Sequence, residues 1–168
     1  MQQEQYKVIA GFENYMVSDM GNVKNTKTGR VLKARINPWG YRHVNLSRLG
    51  KLSTKDVHRL VAETFLENKD GKKCVDHVDN NRLNNNLNNL RFATHTENNQ
   101  NRQISLKNTS GYKGVNFNKK TNKWLAHISI DGKSNYLGYF DTIEEAVKVR
   151  QLKANEIHGL FVNNCEKL

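Results

Sequence analysis

Asp76 and His77 stand side by side at the end of the strand-like run Cys74-Val75-Asp76-His77, with Asn89 twelve residues beyond the histidine and Asn98 twenty-one beyond it. A neutral imidazole, with an unperturbed pKa near 6.5, can take a proton from water at neutral pH. Carboxylate and amide oxygens are hard donors of the kind that Mg²⁺ accepts. Taken singly these residues say little, because an Asp-His pair is more often a surface pair and a lone Asn more often a turn residue. Ten asparagines lie between positions 80 and 101, as codon drift in an AT-rich genome would produce. Drift does not explain asparagines at fixed distances from a histidine.

The elements that must position these groups are legible on both sides. Lys55 to Leu66 places Val57, Leu60, Val61, Thr64 and Phe65 on one helical face, with Ser53 or Thr54 as the expected N-cap. Upstream, Tyr15-Met16-Val17, Gly29 to Leu32 and Tyr41 to Leu46 read as short strands bounded by Gly, Asn or Pro. Residues 99–111 are polar and aperiodic, as a linker is, and a domain boundary is expected there. Three further strands are expected at Tyr112–Asn118, Lys123–Ile130 and Asn135–Phe140, the last two joined by an Asp131-Gly132 hairpin signal. A helix follows at about 143–158. Thr142 and Glu145 form its capping box, Ile143, Ala146, Val147, Ala154 and Ile157 its buried stripe, and Gly159 its C′ residue. The expected class is therefore α+β: residues 1–55 a β-rich module, 56–102 the motif-bearing core, 103–111 a linker, and 112–168 a three-stranded antiparallel sheet packed on one helix.

Charge points to a polyanionic partner. The chain of 168 residues carries 27 Lys and Arg against 16 Asp and Glu, a net charge of +11. Residues 1–55 hold ten basic and three acidic groups, 56–102 seven of each, and 103–168 ten and six. A neutral centre between basic flanks suits modules that hold a phosphate backbone around a segment that does something else. No apolar run approaches the length of a membrane span and the N-terminus lacks the apolar core of a signal peptide, so a soluble, cytoplasmic protein is expected. Cys74 and Cys165 have no CxxC spacing, which argues against a disulfide framework or a Cys-rich zinc site and leaves two free thiols as the expectation.

Three stretches resemble known families. His58-Arg59-Leu60-Val61-Ala62, Asp76-His77-Val78-Asp79, Asn84-Asn85-Asn86-Leu87, Asn89-Leu90-Arg91-Phe92 and Glu97-Asn98 together resemble the HNH nucleases of the homing-endonuclease group, whose core is a hairpin followed by a helix around one metal ion. That resemblance implies His77 as general base, Asp76 and Asn98 as ligands of one Mg²⁺ or Mn²⁺ ion, and Asn89 as the group that holds the hairpin and orients the His77 ring. Asn98 stands where the family name has its final His, which favours Mg²⁺ or Mn²⁺ over Zn²⁺. His58 is expected to pack and hydrogen-bond within the core. His43 and His95 could approach DNA or simply be solvated, and His158 could meet the last carbonyls of its helix.

The flanks carry the other two resemblances. Ser110 to Val115, Lys123 to Ala126, Tyr136 to Phe140 and Thr142 to Ala146 are similar to the APETALA2-type DNA-binding domain of plant regulators and some homing nucleases. In that family the sheet enters the major groove, which implies a reading face of Lys113, Asn116, Asn118, Lys120, His127, Ser129, Ser134 and Tyr136. Most of the family's arginines are Lys, Asn or Ser here, so bidentate contacts to guanine are missing. Trp124 reads as core. Residues 103–140 hold six Lys and one acidic residue whereas 141–158 are slightly acidic, which turns the sheet rather than the helix toward DNA. Phe12 to Val23 resembles the small module that precedes HNH cores in phage and intron nucleases, and among the basic residues of 1–55 Arg35 and Arg42 are expected at phosphates.

Together these readings imply a site-specific endonuclease on double-stranded DNA, of phage or mobile-element origin and acting in a bacterial host. It would leave 5′-phosphate and 3′-hydroxyl ends, and would nick as a monomer without an obligate protein partner. The alternatives are a DNA-binding regulator built on a non-catalytic HNH scaffold and a nonspecific nuclease toxin. The latter leaves the C-terminal sheet without a purpose.

Overall fold

The computed structural model describes residues 3–130 and 132–163, which divide into two units, 1–94 and 95–168. In the first unit β1 (Tyr6–Ile9), β2 (Phe12–Ser18) and β3 (Val23–Asn25) form one antiparallel sheet. β4 (Arg35–Ile36), β5 (Arg42–Arg48) and β6 (Lys51–Asp56) form a second. Helix α1 (Val57–Phe65) follows directly, and the hairpin of β7 (Cys74–His77) and β8 (Leu90–Ala93) closes the unit. The second unit comprises the short α2 (His95–Gln100), a sheet of β9 (Val115–Asn118), β10 (Lys123–Ile130) and β11 (Lys133–Phe140), and the helix α3 (Ile143–His158). The expected α+β class is the observed one.

One core serves the whole first unit. Ile9, Val17 and Val23 of the first sheet, Val44 and Leu46 of the second, Val57, Leu60 and Val61 of α1, and Val75 and Leu90 of the hairpin are buried in a single cluster. The β-rich segment and the motif-bearing core are thus packed together by burial of contiguous apolar surface. α1 presents Val57, Leu60 and Val61 to this core, as its periodicity requires.

Three expectations about local structure differ from what is observed. Ser53 and Thr54 do not cap α1; they lie inside β6, paired with Leu46 and Asn45, and the N-cap is Asp56, whose side chain makes no capping bond. Sheet pairing outweighs the capping preference of two β-branched or small residues there. Gly29 to Leu32 is not a strand. Asn25 Oδ1 accepts from the Lys27 and Thr28 amides and turns the chain back, but only the Lys24–Val31 bridge forms before Leu32 packs on the core. Residues 99–111, read as a polar aperiodic linker, carry local structure: 99 and 100 complete α2, Asn101 is buried, and Asn108 and Ser110 close turns onto the Tyr112 and Val115 carbonyls.

In the second unit, Thr142 accepts a hydrogen bond from the Glu145 amide at 3.3 Å, and Gly159 ends α3 at φ 48°. Ala146 and Ala154 are fully buried against the sheet, with Ile143, Val147 and Ile157 packed beside them. Trp124 belongs to this core and meets Phe117 with ring centroids 5.1 Å apart. A bulge interrupts the pairing of β10 with β11: Ala126 faces Gly138 and His127 faces Tyr136, with Leu137 left over. The extra residue changes the alternation, so Leu137 packs toward α3 while Tyr136 and Tyr139 both emerge on the opposite face. Ile130 pairs with Lys133 and Gly132 takes φ 77°; Asp131, the other half of the expected hairpin signal, lies outside the described residues, as does Cys165.

Candidate active site

The β7–β8 hairpin brings Asp76 opposite Arg91 and His77 opposite Leu90. Asp76 is 4% and His77 5% exposed, so both polar side chains need partners. Arg91 supplies two charge-assisted bonds to one carboxylate oxygen of Asp76, from Nε at 2.8 Å and from Nη2 at 2.7 Å. That oxygen and the rotamer of Asp76 are thereby fixed. His77 Nε2 lies 3.1 Å from the Asn85 side-chain oxygen, and Asn85 is itself 2% exposed.

Asn89 holds the loop between the two strands. Its Nδ2 donates to Asp79 Oδ1 and to the Asn84 carbonyl, both at 2.8 Å, its Oδ1 accepts from the Asp79 amide, and its carbonyl accepts from the Val78 amide. Burial alone would raise the Asp79 pKa. Hydrogen bonds from the Asn84 side chain, the Asn81 backbone and Asn89 outweigh it and hold the carboxyl below its ordinary range. Asn89 is expected from the sequence to hold the hairpin and orient the His77 ring; its contacts are with the loop after His77, and a hydrogen bond to the ring comes from Asn85.

Aromatic rings complete the surroundings. The Tyr41 ring lies 4.8 Å from that of His58 and 5.9 Å from that of His77, and the two imidazoles are 5.1 Å apart. Arg82 lies over Tyr41 and donates to the Trp39 carbonyl at 2.6 Å. Burial lowers the His77 pKa, opposed by the Asn85 bond and by Asp79 and Asp76, so the ring is neutral at neutral pH and able to accept a proton.

His58 is more strongly affected: burial, then His77, then Arg59 push its pKa down to about 3. Because the folded-state value lies below the ordinary 6.5, the unfolded chain binds the extra proton first as pH falls. The stability is complete above about pH 6.5 and is lost progressively toward pH 3. Thermal unfolding across that window is expected to show a drop of a few kcal/mol, at about 1.36 kcal/mol per pKa unit, that is much flatter in His58→Gln. Equal slopes in the two proteins would contradict this account.

The second unit holds Asn98, on α2. Its sheet gathers several expected DNA contacts on the face away from α3: Asn116 Nδ2 lies 3.0 Å from His127 Nε2, Ser134 Oγ lies 3.4 Å from His127 Nδ1, and Ser129 and Tyr136 stand beside them. Leu125 and Tyr139 share that face through the bulge and are not among the expected contacts. Two other expected contacts are occupied locally. Lys113 Nζ donates to the Gln100 and Arg102 carbonyls, and Asn118 Oδ1 caps the turn by accepting from the Lys120 and Thr121 amides. Lys120 itself is exposed. In the first unit Arg35 faces His43 across β4 and β5 and is exposed, while Arg42 shares its alternation with buried Val44 and Leu46.

A family model described as an HNH endonuclease matches residues 55–100, and one described as the NUMOD4 motif matches residues 4–47. The chain is 39% identical over 130 residues to the DNA endonuclease I-HmuI of Bacillus phage SP01, covering 76% of this chain and 74% of that protein. The chain belongs to the HNH endonuclease family. A solved structure of the HNH homing endonuclease I-HmuI, described for DNA binding and cleavage, superposes with a TM-score of 0.56 at 33% identity, covering 86% of this chain and 82% of that one. The HNH endonuclease L245 of Acanthamoeba polyphaga mimivirus is 36% identical over 141 residues, 84% of this chain but 39% of its own length. This HNH chain thus spans well under half of that relative. A stretch of 52 residues is 40% identical to the APETALA2-like protein 2 of rice.

Proposed function

We propose that the chain is a site-specific DNA endonuclease that hydrolyses a phosphodiester with one divalent metal ion and His77 as general base, nicking one strand as a monomer. The observation that carries this reading is the pair Asp76 and His77 at the end of β7, both buried, the first bonded to Arg91 and the second to Asn85, in a chain of the HNH family. A neutral His77 ring takes the proton of the attacking water. Asn89 keeps the loop that follows His77 in place.

Asp76 and Asn98 would hold the ion, Mg²⁺ or Mn²⁺. Their donors fit such a cation: one carboxylate and one amide oxygen suit a hard ion that keeps several waters. When bound, the ion supplies Lewis-acid stabilisation of the charge on the phosphate and on the departing 3′ oxygen. Products with 5′-phosphate and 3′-hydroxyl ends follow from that displacement.

Target recognition belongs to the flanks in this reading. The likeness to a plant APETALA2 protein supports a C-terminal sheet that reads the major groove through Asn116, His127, Ser129, Ser134 and Tyr136. Arg35 and Arg42 contribute phosphate contacts. The relatives from phages and a mimivirus support a mobile-element origin, and the phage relatives alone support a bacterial host cell as the place of action. No helix among the described residues is long and apolar enough to cross a membrane. The test is incubation of a plasmid library with the protein in Mg²⁺ or Mn²⁺ and mapping of the breaks. Nicks concentrated at one sequence are expected; evenly scattered breaks would favour a nonspecific nuclease, and selective binding without breaks a regulator.

A further inference from the structure

We infer that the N-terminal module is part of the catalytic centre: its Ser18–Asn22 turn holds Asn85, and Asn85 fixes the tautomer of His77. This rests on the proposed role of His77 as base, although its structural half can be tested without any cleavage. Asn85 is the positioning residue, since its side-chain oxygen meets His77 Nε2 at 3.1 Å and both groups are buried. A carbonyl oxygen can only accept, so Nε2 carries the hydrogen and Nδ1 becomes the basic nitrogen of the ring. Asn85 Nδ2 is buried without a partner, so beyond the bond to His77 no hydrogen bond from its amide nitrogen holds the side chain.

Packing against the first sheet holds it. A Cβ built on Gly21 would stand 2.8 Å from the Asn85 Cβ and 3.2 Å from the Asn85 carbonyl oxygen, so glycine is what lets the two segments touch. Gly21 also takes φ 81°, a conformation that side chains disfavour. The turn is fixed from within: Ser18 is fully buried, its Oγ accepts from the Asn22 amide at 2.9 Å, and its carbonyl accepts from the Gly21 amide. A second strap joins the same segments, the Leu87 amide donating to the Asp19 carbonyl at 2.7 Å. Residues matched by the NUMOD4 model thus clamp the loop that carries Asn85.

The experiment uses the full chain with ¹⁵N-labelled histidine, and a long-range ¹H–¹⁵N correlation at pH 7.5 with the His77 signals assigned by their loss in His77→Gln. The expected result is an Nε2–H tautomer in the wild type, retained in Asn85→Asp, which still offers an acceptor, and lost or mixed in Asn85→Leu and Gly21→Ala. Nicking should show kcat reduced roughly 10- to 100-fold in the last two with KM for DNA unchanged, the usual size for loss of a supporting hydrogen bond. Should Gly21→Ala lose the native amide spectrum, Ser18→Ala carries the same expectation. An Nδ1–H tautomer in the wild type would mean that the amide presents its NH₂ group and would overturn the inference, as would a wild-type tautomer in folded Asn85→Leu. Nε2–H in a wild type that cuts nothing would instead fault the proposed function and leave the clamp standing.

Discussion

His77→Ala is expected to lower the single-turnover nicking rate by roughly 10²- to 10⁴-fold, the range contributed by a positioned general base. DNA affinity should change little, because His77 is 5% exposed and the excess of basic over acidic groups lies on the flanks. Fluorescence anisotropy on the target duplex measures the binding, and a quenched-flow time course on the same duplex measures the rate. Equal rates in the two proteins would remove His77 from the mechanism.

Arg91→Leu carries the largest expected effect on stability. The Asp76 side chain is 5% exposed and receives two bonds from Arg91, so the substitution leaves a buried carboxylate without those donors. Breaking a buried ion pair from one side costs on the order of 3–5 kcal/mol. Denaturant unfolding in EDTA should show that loss, and Arg91→Lys, which keeps the charge but not the fork, should fall between. A loss below about 1 kcal/mol in Arg91→Leu would mean that solvent reaches Asp76 and that the pair matters little.

Much of this architecture is legible in the order of the residues, and what is not has physical reasons. The α3 boundaries follow from Thr142, Glu145 and Gly159, because caps and a C′ glycine are local features whose bonds form within one turn of the residues that encode them. Asp76, His77 and Asn89 stand out in the sequence through their resemblance to the HNH motif, whose local text they carry around one hairpin. Asn85 does not: it is one of ten asparagines within 80–101, and only its burial against Gly21, sixty-four positions earlier, sets it apart. Gly21 carries a weak signal as a turn glycine, with nothing to say which surface it approaches.

Tertiary pairing explains the other differences. Lys51 to Asp56 is mostly polar and gives no strand pattern, yet it pairs along its length with β5, and that pairing displaces the expected cap to Asp56. A simple alternation from Tyr136 places Tyr139 inside. The bulge at Leu137 reverses the parity, and a single extra residue is invisible in a period-2 reading. The shared core of the first unit is likewise hidden, since its buried members come from six strands and a helix whose contacts are long-range.

The most direct test of the central claim is single-turnover cleavage of an end-labelled duplex carrying the selected target, in Mg²⁺ and in EDTA, with the product ends analysed by ligase and by 5′ dephosphorylation. The account predicts one nick, dependent on Mg²⁺, with a 3′-hydroxyl and a 5′-phosphate that ligase reseals. Full binding of that duplex with no cleavage in Mg²⁺ or Mn²⁺, or cleavage undiminished in EDTA, would contradict it.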